Sequence, residues 1–381
     1  MADDKHLSIF SSLKKEKVLD LSRETEVDAV TEGYLKYTYR KILFLVSMLV
    51  LLIVLVVVTL GLGDTSLSYS EIFSSIFNKG GAWKDDVVWD LRLPRIAAAI
   101  LAGCALGISG AVMQSILRNP LASPFTLGLS NASAFGAAIG ILVLNGGIII
   151  AGSSPAYPVI NNPAIVTICA FVFSMAATGL IIVLSKFTSA SPESLVLAGM
   201  AISAIFSAAL AFTQYIADDV ALSSIVFWQF GSLDKVNWDG LKIIFFVSLI
   251  GIIYFLWKRW DYNAMEAGEE VARGLGLNIS RTRLMGLTVS AVITAVTVSY
   301  MGVIGFIGLA APHIVKRVIG NDNRYLLIGS MLIGSIIMMI SHIISHYAFD
   351  KVIPVGIITS AIGGPLFLYV LIRGYKKNAS C

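Results

Sequence analysis

Charged side chains are scarce in this sequence. Asp, Glu, Lys and Arg make up 14% of its 381 residues and 56% are hydrophobic, whereas a soluble domain carries about 25% charged residues. That shortage excludes an ordinary soluble globular domain and predicts an all-α, polytopic membrane protein. Cysteine is nearly absent too. Cys104 and Cys169 lie inside apolar segments and Cys381 is the last residue. Thiols so placed exclude a disulfide framework or a cysteine metal site, and no metal or cofactor is expected. Ionisable groups are also almost missing from the apolar segments themselves. Such groups mark proton relays and ion-coupled carriers, so their scarcity argues against an ion-coupled secondary transporter and places the energy source outside this chain. No P-loop pattern is present. The net charge of +4 implies no nucleic-acid partner, because in a membrane chain the positions of Lys and Arg matter more than their sum.

What is there is a series of apolar runs. A crossing helix needs about 20 apolar residues, and candidates lie at 42–61, 93–116, 126–146, 164–184, 194–215, 241–257, 284–302, 303–318, 326–345 and 353–373. Residues 1–41 mix both charge signs and end in Arg40-Lys41, so they read as a cytoplasmic tail before an uncleaved first span. Alternating from there, the inside loops carry Arg118, Lys186, Lys258, Arg259, Arg273, Arg281, Arg283, Lys316, Arg317, Arg324, Arg373, Lys376 and Lys377. The outside segments carry fewer: Lys79, Lys84, Arg92, Arg95, Lys235, Lys242 and Lys351. This bias fits the positive-inside rule with both termini cytoplasmic. Leu284 to Val315 is one apolar stretch, too long at 1.5 Å per residue for a single crossing. Gly302 and Gly305 offer a break into two short spans or a hairpin.

Three polar islands interrupt the runs: 118–128, 258–283 and "GFIGLAAPHIVKRVIGNDNR" (305–324), where His313 reads as a helix-end residue. "RNPLASPFTLG" (118–128) is a proline-stiffened turn, since Pro120 and Pro124 lack N–H groups and push their predecessors out of helical geometry. Gln114, one turn earlier, is placed to bond a neighbouring helix. The loop 258–283 contains helix formers from Met265 to Leu275, with acids early and Arg273 late, an order that suits the helix dipole. It reads either as a solvated loop helix or as a docking element. "HIISH" puts His342 and His346 on one helix face, but Ile343 replaces the glutamate base of a metallopeptidase motif, so peptidase chemistry is rejected.

"RLPR" (92–95), "SGAVMQSILRNPLASPFTLGLSNASAFG" (109–136), "LVLAGMAIS" (195–203), "AGEEVARGLGL" (267–277), "GVIGFIGLAAPHIVKR" (302–317) and "IPVGIITSAIGGPLF" (353–367) occur in this order. Together they resemble the membrane permease subunits of ABC importers for iron–siderophore complexes, haem and cobalamin, a type II importer permease fold of about ten helices. The resemblance implies a permease domain at 42–375 between the tail and a short cytoplasmic terminus, 376–381. It implies a multi-pass subunit in a prokaryotic cell membrane, paired as a homodimer or pseudo-dimer, with two cytoplasmic ATPase subunits and an extracytoplasmic substrate-binding protein. The chain itself would hydrolyse nothing. A ferric chelate is the leading cargo, with a corrinoid or haem as the alternative. By the same resemblance, Glu266, Gly268, Glu269, Ala272, Leu275 and Gly276 couple to an ATPase subunit. Gln114, Asn119, Pro120 and Pro124 lie at the cytoplasmic gate. Arg92, Arg95 and His346 receive the binding protein. His342 and His346 stand where many relatives have Asp and Arg.

Overall fold

The computed structural model describes residues 3–63, 65, 67–77, 83–144, 148–149, 159–160, 162–187 and 191–378. Its helices in chain order are α1 Asp3–Gly61, α2 Tyr69–Phe77, α3 Trp83–Ile116, α4 Leu129–Leu142, α5 Pro163–Phe187, α6 Pro192–Ile216 and α7 Asp219–Gln229. They continue as α8 Trp238–Trp257, α9 Arg259–Ala267, α10 Glu269–Gly274, α11 Ile279–Met301, α12 Ile307–Ile319, α13 Asn323–Tyr347 and α14 Val355–Asn378. Ile148–Ile149 and Val159–Ile160 form a minimal antiparallel pair. Among the described residues, seven helices are long and apolar enough to cross a membrane, while α4 and the Val355–Pro365 part of α14 are shorter apolar helices. With α12 they make an all-α polytopic membrane fold of about ten membrane helices.

By its contacts the chain divides into Met1–Ser47 and Met48–Cys381. In the first unit, Glu32 and Lys36 pair one helical turn apart. The second is organised around α3, which packs along α11, α12 and α13. Of its most apolar window 78% is buried, against 33% for α5 and 28% for α6, so α3 is interior and the other two lie at the periphery of the chain. Lipid supplies no hydrophobic drive between helices, and close backbone approach through small residues replaces it. Gly103 lies against the backbone of Gly334 and Ser335, Gly107 against the Ser330 carbonyl, and Gly110 against the Gly308 carbonyl. A Cβ at Gly110 would overlap that carbonyl. Gly110→Val is therefore expected to prevent recovery of a monodisperse protein in detergent. Gly179→Val, where a Cβ meets nothing within 4 Å, should purify like the wild type; equal behaviour of the two would refute this packing scheme.

The apolar stretch 284–315 divides where its glycines fall. Helix α11 stops at Met301, Gly302 adopts φ 79°, and α12 begins after Phe306. The Ser232 N–H donates to the freed Met301 carbonyl at 2.8 Å. Two expectations need correction. The span expected at 126–146 begins only at Leu129, because Gly128 takes φ 84° after a short turn at Phe125–Leu127. The single helix expected from Met265 to Leu275 is two helices, α9 and α10, separated by Gly268 at φ 131° and ψ 151°. Composition favoured one helix, but only glycine occupies that backbone region readily.

Candidate functional site

The loop 258–283 sits beside the C-terminal end of α3, and its buried contacts bolt it there. Met265 and Tyr262 are buried beneath α9. Burial raises the Tyr262 phenol well above its ordinary value. Asn263 donates to the Asp322 carboxylate at 3.1 Å and accepts the Asn323 N–H at 2.7 Å. Burial would raise the Asp322 carboxyl, but hydrogen bonds from Arg324 and Asn263 outweigh it and hold it at about 2. One Glu266 oxygen accepts from Lys316 Nζ at 3.1 Å and from Ser115 Oγ at 3.2 Å; the other accepts from Asn321 at 3.4 Å. Glu266 thus ties α9 to α3 and α12.

The next helix is held by Arg283, whose side chain is 2% exposed. Its terminal nitrogen meets Glu269 at 2.6 Å and its Nε donates to the Ile116 carbonyl at 3.0 Å. One guanidinium therefore joins α10 to the last turn of α3, immediately before the 118–128 turn. Ala272 is buried under α10, while Val271, Leu275 and Gly276 face solvent. Of the six coupling residues expected, Glu266 and Ala272 support the loop from inside, and Glu269 belongs to the Arg283 pair. Leu275 and Gly276 are presented outward, and Gly268 sets the angle between the two helices.

The turn after α3 is as stiff as its prolines imply. The Asn119 N–H bonds the Gln114 carbonyl at 3.2 Å and its side chain accepts from the Leu121 N–H at 2.9 Å. Ser123 and Thr126 close the remainder reciprocally. Arg118 sits at φ 45°. Pro120 is exposed and Pro124 buried. Buried Gln114 donates to the Leu309 carbonyl of α12 at 3.5 Å, the interhelical bond its position suggests. Between this turn and α6 lies a cavity of about 580 Å³ lined by Asn119, Thr126, Asn131, Met200, Ser203 and neighbours.

At the other end of α3, about 30 Å away at 1.5 Å per residue, the expected docking residues divide. Arg92 is 7% exposed. It donates to the Leu60 and Thr65 carbonyls, each at 2.6 Å. It is spent tying the chain after α1 to the start of α3. Arg95 instead meets Asp234 at 2.5 Å, and His346 Nε2 lies 3.3 Å from the same carboxylate oxygen. Burial would raise the Asp234 carboxyl, but the His346 contact and the Arg95 charge hold it at about 2. Next to it, Lys235 donates to the Phe227 and Trp228 carbonyls, capping α7; burial lowers its ammonium to about 7. The His342 and His346 rings are 4.4 Å apart.

Sequence reasoning passed over Asp234 and Arg283. Asp234 was one acid in a short turn, although Ser232 and Asn237 around it both cap helices. Arg283 was counted only as a topological marker, and nothing in its neighbours foretold contact with residue 116.

The model of the FecCD transport family matches residues 51–373. A provisionally named ABC transporter permease of Methanocaldococcus jannaschii is 42% identical, over 91% of this chain and 99% of that protein. The hemin transport system permease of Yersinia pestis is 33% identical, over 88% of this chain and 97% of that one. An inward-facing structure, provisionally described as a metal-chelate type ABC transporter, superposes with a TM-score of 0.75 at 30% identity, covering 86% of this chain and 98% of that chain.

Proposed function

Because the chain belongs to the FecCD transport family, membrane-embedded permease subunits of ABC importers whose ATPase is a separate subunit, we propose that its cargo is a ferric chelate. The observation carrying this reading is the likeness, along almost the whole chain, to the metal-chelate type transporter. The hemin permease relative supports the alternative cargo, haem. On this reading the chain works as a homodimer with the pathway along the subunit interface, and both termini are cytoplasmic. The excess of Lys and Arg on the loop-bearing side supports that orientation. The 258–283 loop then meets the ATPase through Leu275 and Gly276, with Arg283 and Glu266 carrying its movement to α3. The 118–128 turn, with Gln114 behind it, lies at the cytoplasmic gate. The opposite end receives the substrate-binding protein at Arg95.

The test is ATP-driven uptake in proteoliposomes holding the permease, its ATPase and its binding protein. Ferric citrate, a ferric hydroxamate, haem and cobalamin are offered in turn. Uptake of ferric citrate or the ferric hydroxamate is expected; uptake of haem or cobalamin alone would overturn the cargo, and uptake driven by an ion gradient without ATP would overturn the mechanism.

Arg92 separates two roles cleanly. Arg92→Gln removes charge-assisted bonds to two carbonyls, each bond being worth about 1.5–3 kcal/mol. A lower thermal unfolding midpoint is expected, with unchanged association of the binding protein for the fraction that folds. Slower association at an unchanged midpoint would return Arg92 to the docking surface.

A further inference from the structure

We propose that Asp234 is an internal stand-in for the partner's docking acid: it occupies Arg95 until a carboxylate on the binding protein takes that arginine, and it then remains on His346. The inference rests on the docking reading above and goes beyond it. Of the three basic residues expected to dock, Arg92 is 7% exposed and the His346 side chain is also 7% exposed, whereas Arg95 is 32% exposed. Of these three, Arg95 is therefore the one presented to a partner, and it is already engaged. Asp234 touches it through Nε at 2.5 Å. Nη1 and Nη2 are left without a carboxylate partner among the described residues, so an incoming acid finds the planar fork open for two parallel hydrogen bonds.

Exchange is physically easy at this place. Arg95 and Asp234 are each about one-third exposed, and ion pairs in partly solvated surroundings hold weakly. A bidentate bond with a docked carboxylate, shielded from water by the partner, outcompetes a one-point contact. His346 then keeps the displaced carboxylate from being stranded, because it already lies on the same oxygen at 3.3 Å.

The charge balance of the face gives the exchange its consequence. Asp234, held at about 2, is ionised throughout the physiological range, so Arg95 is always neutralised. The neighbouring pairs Glu71–Lys84 and Asp239–Lys242 neutralise themselves at 2.6 Å and 2.9 Å. Lys235 is turned inward onto α7. An acidic partner therefore meets little net positive field before contact, and that field governs the association rate. Asp234 also sits on a mechanically connected turn. The Ser232 N–H bonds the Met301 carbonyl at 2.8 Å and the Gly231 carbonyl accepts the Gly356 N–H at 3.2 Å. Pulling Arg95 away from Asp234 thus releases the turn that braces the break between α11 and α12.

The test is the association rate of the binding protein with the assembled transporter in nanodiscs, at low and high salt. Asp234→Asn is expected to raise the rate about three- to tenfold at low salt, with a smaller gain at high salt. Asp234→Glu keeps the charge and should stay near wild type. Arg95→Gln should lower the rate, and the double variant should behave like Arg95→Gln alone. The swap Arg95→Glu with Asp234→Arg restores an internal pair and should still lose association, which guards against reading a folding defect as a docking effect. A rate that is unchanged or lowered in Asp234→Asn, while Arg95→Gln is slow, overturns the stand-in and leaves Asp234 as a positioning residue. An Arg95→Gln variant that associates normally overturns the docking reading itself.

Discussion

Arg283→Gln is expected to abolish ATP-driven transport while the permease still assembles with its ATPase subunits, which continue to hydrolyse ATP. The buried guanidinium bonds both α10, through Glu269, and the backbone of α3, through the Ile116 carbonyl. Movement imposed on α10 reaches the 118–128 turn most directly by that route. Breaking a buried ion pair costs about 3–5 kcal/mol; here the low end applies, because Glu269 is 33% exposed and partly solvated. Glu266 and Asn263 still hold the loop to the bundle, so assembly is expected to survive while the direct link from α10 to α3 is lost. Arg283→Lys keeps the charge but lacks the fork that reaches two acceptors in different directions, so an intermediate transport rate is expected. The measurement is the ratio of substrate moved to ATP hydrolysed in proteoliposomes. A ratio for Arg283→Gln equal to wild type would remove this residue from the coupling path.

Glu266 offers an independent line to the same end of the bundle. Its carboxylate collects Lys316 from α12 and Ser115 from α3, and the single Ser115 hydroxyl proton is shared with Asn323 Oδ1 of α13 at 3.1 Å. Helix α9 is therefore fixed to three membrane helices, whereas α10 is fixed chiefly through Arg283. The two halves of the loop have different mechanical attachments, and only the structure reveals the division.

The long spans were legible because a 3.6-residue helix in lipid needs only length and apolarity, and both are written locally. The break near residue 302 was legible for the same reason, since a stretch of 32 residues between basic flanks demands one and glycine supplies it. The motifs also marked where the 118–128 turn and the exposed loop would lie. What stayed hidden depends on partners far apart in the chain. Arg92 and Arg95 read alike in "RLPR", yet one is consumed by carbonyls of residues 60 and 65 and the other by a carboxylate at 234. Helices α2 and α7 were missed because they are short and lie between spans, where no membrane-length signal exists. The pairing of His346 with Asp234 likewise joins α13 to the turn before α8, and no local pattern announces it.

Gly268→Ala should cost as much transport as Arg283→Gln, although it adds a single methyl group and removes no contact. A Cβ at this position meets nothing closer than Val271 Cγ2 at 4.0 Å, so space is not the obstacle. The backbone is: φ of 131° with ψ of 151° is nearly closed to any residue but glycine, and holding alanine there costs about 1–3 kcal/mol. The flanking sequence supplies the alternative. Met265 to Leu275 is rich in helix formers, and alanine at 268 favours one uninterrupted helix across it. Such a helix swings α10 away, uncovers Ala272, strips Glu269 from Arg283 and withdraws Leu275 and Gly276 from the surface they present. Two neighbouring glycines calibrate the effect. Gly274 lies in α10 with open space around it and no positive φ, so Gly274→Ala should be silent. Gly276 stands at φ 80° in open space, where alanine costs roughly 1 kcal/mol, so Gly276→Ala should reduce transport modestly. The order of transport rates is therefore Gly274→Ala, then Gly276→Ala, then Gly268→Ala, with ATPase assembly retained in all three. Amide hydrogen exchange across 265–277 should show protection extending through residue 268 in the Gly268→Ala protein alone. If Gly268→Ala transports as well as Gly274→Ala, the angle between α9 and α10 is not what couples this permease to its ATPase.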